Sequence, residues 1–212
     1  MDLTFDVKID PIHETRFLAH VQEEVLKQME RRLIAAKARV GDTIYNYLRQ
    51  AINDSPEILA LQQSDLRFDL GVRPEEVASV KDGIIQIIAN TTRLTVIRNK
   101  TYVSYRVEII KSDYTDMLSI AGAEFESIHG FRIPWLEWLL LSGHQQVVKS
   151  YRVKYKDYPA RGSRSGGAIM VQGGSYSVVP SEFTGVADDN FITRSLDKMF
   201  PEIEKVLIDV LN

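Results

Sequence analysis

No cysteine occurs among the 212 residues, which excludes disulfides, thiolate zinc sites, iron–sulfur clusters and a cysteine nucleophile. The lack fits maturation in a reducing compartment. Histidine is scarce, with His13, His20, His129 and His144 the whole supply. His13 and His20 stand seven apart with no second ligand pair at three- or four-residue spacing, and they read as solvated residues on a helix. Neither His-Glu-x-x-His nor Gly-x-Ser-x-Gly occurs, and a catalytic triad can be assembled only by choosing residues freely. The expectation is a protein without catalytic, metal-binding or cofactor-binding residues.

Neither sign of charge dominates. Lys plus Arg number 26 against 29 Asp plus Glu, a formal net charge of -3, which argues against a generally basic nucleic-acid binder. Long hydrophobic runs are also missing. The longest, Ile133 to Leu141, is interrupted by Glu137 and is too short to cross a bilayer. Met1 to Ile9 carries Asp2 and Asp6 and lacks the basic start of a signal peptide, so no membrane partner is expected. Asn90-Thr91-Thr92 fits a glycosylation acceptor and reads as incidental without such a signal. What is there, 44% hydrophobic and 26% charged residues, is globular composition rather than disorder or collagen-like repetition.

Leu3, Phe5, Val7 and Ile9 alternate with Asp2, Thr4, Asp6 and Lys8, the period of an edge strand that ends at Asp10-Pro11. From Ile12 to about Ile52 the period lengthens. Leu18, Val21, Val25, Met29, Leu33, Ala36, Val40, Ile44 and Leu48 form one apolar stripe on a helix about 60 Å long. Gly41 is the expected place for a break or bend. Proline is scarce, seven residues, and Pro56, after Ser55 as N-cap, and Pro74 both open fresh helices. Ser64-Asp65-Leu66 opens another short helix that runs through Leu70 and is closed by Gly71. Val77, Val80, Ile84, Ile87 and Ile88 are the buried face of the helix that follows Arg73.

Beyond Thr92 the chain changes character. Leu94 to Ile97 and Tyr102 to Ile109 read as a hairpin turning at Asn99-Lys100. Ile133 to Leu141 suits a short helix with Pro134 in its first turn. Val147 to Tyr155, Ala168 to Val171 and Ser175 to Val179 read as three further strands. Asp188 or Asp189 caps a closing amphipathic helix up to Asn212, which Pro201 kinks or splits. The fold class is therefore α+β: a long N-terminal helix, a helical insertion at about 53–92, a small antiparallel β-sheet and a C-terminal helix, in one domain over 1–212.

Lys149, Arg152, Lys154, Lys156, Arg161 and Arg164 stand against only Asp157, so a flexible loop at about 156–167 carries local positive charge in an acidic protein. Gly162 to Gly167 lacks the Gly-Lys-Ser/Thr ending of a phosphate loop and reads as a hairpin tip. Trp135 and Trp138 share a helix side and serve the core. Glu137, a single carboxylate without a partner, is weak as a general acid.

Three stretches together carry a resemblance: Leu70-Gly71-Val72-Arg73-Pro74-Glu75; Arg132 to Leu140; and Ser163 to Met170 leading to Val179-Pro180-Ser181-Glu182-Phe183-Thr184-Gly185 and Asn190 to Leu196. The combination resembles structural proteins of tailed bacteriophages, the neck or head–tail completion (tail completion) proteins. That group has a long N-terminal helix, a small antiparallel sheet with an Arg-(Thr/Ser)-Gly loop, and a C-terminal helix opened by a Phe-x-x-Arg-x-Leu-like motif. Arg164-Ser165-Gly166 and Phe191-Ile192-Thr193-Arg194-Ser195-Leu196 occupy those places here, whereas the helical insertion is larger than the pattern needs.

The resemblance implies a virion structural protein that forms a ring at the head–tail junction and joins the portal or connector to the tail. Its implied partners are copies of itself, the neighbouring connector and tail proteins, and genomic DNA touched at most non-specifically. The implied location is the virion, and the host cytoplasm during assembly. Lys156, Arg161, Arg164, Phe183, Phe191 and Arg194 are the expected interface residues. A competing reading is a nucleic-acid-binding module that uses the basic 149–164 segment, with Tyr151, Tyr155 and Tyr158 as stacking groups. A hydrolase whose site the sequence does not reveal is a third, and loss of activity on substitution of Glu137 would support it.

Overall fold

The computed structural model describes residues 11–63, 66–109, 114–126, 130, 132–143, 146–155, 168–178 and 180–211. The predicted opening strand, Leu3 to Ile9, and the basic loop, Lys156 to Gly167, lie outside them. The fold is α+β and mostly helical, with a long N-terminal helix and a C-terminal helix as the sequence implies.

Helix α1, Pro11–Asn53, runs unbroken for 43 residues. Gly41 does not break it, since glycine costs a helix interior about 1 kcal/mol, too little to stop so long a helix. Ser55 ends the turn after α1 and starts α2, Pro56–Gln63. Its hydroxyl donates to the Ile52 carbonyl at 2.9 Å and accepts from the Ile58 amide at 3.4 Å, as an N-cap before a first-turn proline does.

Helix α3, Leu66–Leu70, closes on Gly71 at φ 66°. The Gly71 amide reaches Phe68 O and the Val72 amide reaches Arg67 O, a Schellman closure that uses glycine's freedom to turn left-handed. Helix α4, Pro74–Thr91, starts with the Arg73 amide donating to the Glu76 carboxylate at 3.0 Å. It buries Val77, Val80, Ile84, Ile85 and Ile88. Ile87, expected inside, is only half-buried, and Ile85 takes the inner position instead.

Among the described residues the strands form three separate two-stranded antiparallel ladders rather than the single compact sheet expected. Strands β1, Thr92–Arg98, and β2, Val103–Ile109, pair from Thr92↔Ile109 to Arg98↔Val103. Helix α5, Thr115–Leu118, and strands β3, Phe125–Glu126, and β4, Arg132–Ile133, lead into helix α6, Trp135–Leu140. Ile133 belongs to β4, and Pro134 precedes α6 as its cap residue rather than lying within it. Strands β5, Gln146–Tyr155, and β6, Ala168–Val178, make the longest ladder, with register shifts between Gln146 and Val148 and between Lys149 and Tyr151. The two strands expected from 168 to 179 are one, because these shifts absorb the glycine pair at 173–174 without ending the pairing.

Helix α7, Phe191–Leu211, continues through Pro201 without splitting. It lies along the C-terminal half of α1, and Ser195 donates to the Ala51 carbonyl at 3.2 Å. The main core joins Val40, Ile44, Leu48 and Ile52 of α1 to the inner faces of α4 and α6 and to Phe191, Ile192, Leu196, Met199 and Ile203 of α7. Trp135 is buried, as expected, and its indole N–H donates to Gly122 O at 2.6 Å. Trp138 packs against the core from its edge.

Further along α1, a smaller cluster of Leu26, Leu33 and Val103, with Met29, Val96 and Tyr105 against it, seats the β1–β2 hairpin on the helix. Tyr105 donates its hydroxyl to the Leu33 carbonyl. Burial pushes that phenol's pKa up.

Candidate assembly interface

At the hairpin's far end, Arg98 donates to Glu23 at 2.5 Å and to Glu30 at 2.9 Å. These residues lie two helical turns apart on α1, so one guanidinium spans both. The two hydrogen bonds hold Arg98 above the ordinary arginine range. Gln22 donates to Lys100 O at 3.3 Å, at the turn of the hairpin. Beyond that point α1 projects past the strands as an arm.

On this arm Phe17 is 65% exposed, Leu18 58%, Val21 41% and Val25 50%. At 100° per residue the four occupy an arc of about 100°. The sequence pattern places Leu18, Val21 and Val25 in the buried stripe, and the structure corrects this. The buried row begins with Leu26, Leu33 and Val40, seven apart, and continues through Ile44, Leu48 and Ile52. The outer residues continue the apolar pattern where no described element packs over them.

An open groove of about 730 Å³ lies between α1 and β1. Ile34, Lys37, Ala38 and Gly41 line it from the helix, and residues 92–95 from the strand. Ile34 is 56% exposed, and a methyl group added at Gly41 meets nothing within 4 Å. Lys37 and Arg93 have no ion-pair partner among the described residues. A second groove, about 430 Å³, runs between α1 and α7 and is lined by both signs of charge, Asp54, Lys198 and Glu202 among them. Glu202 is already paired with Lys205 at 2.7 Å.

The residues expected at an interface fall into three groups. Lys156, Arg161 and Arg164 lie outside the described residues; β5 and β6, which flank them, are paired up to Tyr155↔Ala168. Phe191 is 1% exposed and Phe183 packs against the core. Phe191 is thus a core residue, which corrects its assignment as a contact, because a side chain sealed inside its own subunit has no surface to offer. Arg194 is engaged within the chain, donating to Asp189 at 2.5 Å and to Glu57 at 2.5 Å. Burial opposes its charge, but the hydrogen bonds to Asp189 and Glu57 outweigh that and raise its pKa above the ordinary value. The Glu57 side chain is 1% exposed, and its second carboxylate oxygen has no partner among the described residues.

These contacts belong to a knot that anchors the start of α7. Asn190, not Asp188 or Asp189, is the cap. Its side-chain oxygen accepts from the Ile192 and Thr193 amides at 3.1 and 3.2 Å. Its amide donates to Tyr114 Oη at 2.9 Å and to Val186 O at 3.0 Å. An aspartate would cap equally well, but it has no N–H to donate, which is the reason for asparagine here. Tyr114 is held at φ 64°, a left-handed conformation that costs a tyrosine about 1 kcal/mol. Gly185 lets the chain pass so close to Leu139 O and Asn190 that no Cβ fits.

Among the described residues no three His, Asp or Glu side chains gather as metal ligands, and no helix is long and apolar enough to cross a membrane. His20 is exposed on the arm, and Glu137 is half-buried at the start of α6. The uncovered arm and the α1–β1 groove were not singled out from the sequence. The available signal was the length of α1, longer than a small core needs. No protein-family model, curated protein or solved structure matches this chain.

Proposed function

We propose that this chain is a structural subunit of a tailed-bacteriophage virion, a neck or tail-completion protein whose copies form a ring joining the portal or connector to the tail. The observation that carries the reading is the arm of α1. Four large apolar side chains, Phe17, Leu18, Val21 and Val25, lie open on one helix arc. A contiguous apolar face in water is a surface made to be covered by another chain. The motif order from Leu70 to Leu196 supplies the virion context.

Head-to-tail contacts between identical subunits close into a ring when the rotation per subunit divides the circle. An arm that reaches beyond its own body suits such a contact. The basic segment Lys149 to Arg164 is assigned to an adjacent ring or the channel wall, with DNA touched non-specifically. The subunits work in the virion and pass through the host cytoplasm during assembly.

Electron microscopy of particles made without this gene product tests the proposal. Separate DNA-filled heads and finished tails are expected. Tails of irregular length move the protein to the tail end, and intact infectious particles overturn the structural reading. Salt-sensitive binding of short DNA by the free protein then favours a nucleic-acid-binding module.

A further inference from the structure

We propose that residues 2–9 of one copy seat as a third strand on the free edge of β1 in a second copy, filling the groove between β1 and α1 there. The inference rests on the reading that copies of this chain meet head to tail, and it names the contact between them.

The edge is the first ground. Among the described residues β1 pairs only with β2, so its other side presents a row of backbone groups open to a strand. The two faces beside that edge are the second. Leu94 and Val96 pack toward the helix side, whereas Arg93 and Thr95 are exposed on the other. An added strand continues both rows. Leu3, Phe5, Val7 and Ile9 then cover Ile34, Ala38 and Gly41, and the alternating Asp2, Thr4 and Asp6 lie beside Arg93.

Charge agrees with this placement. Residues 1–10 hold Asp2, Asp6 and Asp10 against Lys8 alone. Arg93, on the face that Asp2 and Asp6 would share, has no ion-pair partner among the described residues. Gly41 keeps the groove open, since a side chain there would project into it.

Reach decides between the chain's own groove and a neighbour's. Ile34 lies about 35 Å along α1 from Pro11 at 1.5 Å per residue, and Gly41 about 10 Å further. Residues 2–9, fully extended and folded back, span about 27 Å. They fall short of their own groove. The groove of a second copy is not subject to that limit, and the same neighbour can cover Phe17, Leu18, Val21 and Val25.

The chain contains no cysteine, so introduced thiols report without background. Full-length chains carrying Thr4→Cys and Thr95→Cys, one lengthened by an affinity tag, are mixed at high concentration and treated with a short bis-maleimide. The expected result is a cross-link between the two different variants that forms several-fold faster than between copies of either one. Adding Gly41→Leu or Arg93→Glu to the Thr95→Cys chain should slow it several-fold. Cross-linking only within a doubly substituted chain at high dilution assigns the segment to its own subunit and overturns the exchange. No cross-link of either kind also overturns it. Both failures are distinct from failure of the ring reading, which the particles made without the gene product decide.

Discussion

At Arg194 two carboxylates of opposite exposure share one guanidinium: Glu57, with its side chain 1% exposed, and Asp189, 70% exposed. The Asp189 contact is screened by water and contributes little. Glu57 matters more, because removing its partner leaves a buried charge uncompensated. Arg194→Met should therefore destabilise the fold by about 3 kcal/mol, the lower end for a buried pair, since Arg194 is itself partly open to water. Adding Glu57→Leu should recover most of the loss. Urea denaturation of both variants checks this, and an unchanged midpoint for Arg194→Met would sink the anchoring role. The motif Phe191-x-x-Arg194 was legible as a unit, but its role was not. Phe191 faces the core and Arg194 faces Glu57, 137 residues away in sequence, a pairing that no local pattern announces.

Among the elements, α1 does two jobs along one length. Its C-terminal half lies under α4 and α7, its middle carries the β1–β2 hairpin, and residues 15–23 are exposed. Gly41 sits where the second region meets the first, with open space in front of it. Gly41→Ala should therefore stabilise the isolated chain by about 1 kcal/mol, because alanine loses less backbone freedom and meets no neighbour. Thermal or chemical denaturation measures this, and a loss of stability would show that the space is occupied within the subunit. Helix boundaries were readable because capping chemistry is local: Ser55-Pro56, Arg73-Pro74 and Gly71 act within a few residues of themselves. The β5–β6 ladder was misread as shorter strands because a bulge and a turn both favour glycine, and only pairing separates them.

For the molecule as a whole, the proposed function rests on surfaces that become interfaces. Arg161 and Arg164 fall in the segment assigned to the adjacent ring. Replacing both with glutamate should block docking of heads to tails while the purified chain keeps its circular dichroism spectrum and melting temperature. Normal particle assembly by the double variant would remove the basic segment from the interface. For the proposed assembly role, geometry and charge are the properties to test, and particles and cross-links are the readouts.

Composition and periodicity by themselves determined the α+β class, the long helix, the hairpin at Asn99-Lys100 and the closing helix, since each follows from local propensity, capping or a repeat of two or 3.6 residues. Tertiary structure alone decided which part of the apolar stripe on α1 is core and which is surface. Leu26 and Leu33 are buried and Val21 and Val25 exposed although their residue types are alike, because burial depends on what stands opposite a side chain. The separation of the strands into three ladders, the choice of Asn190 over Asp189 as the cap, and the groove beside β1 were settled in the same way, by contacts between parts of the chain far apart in sequence.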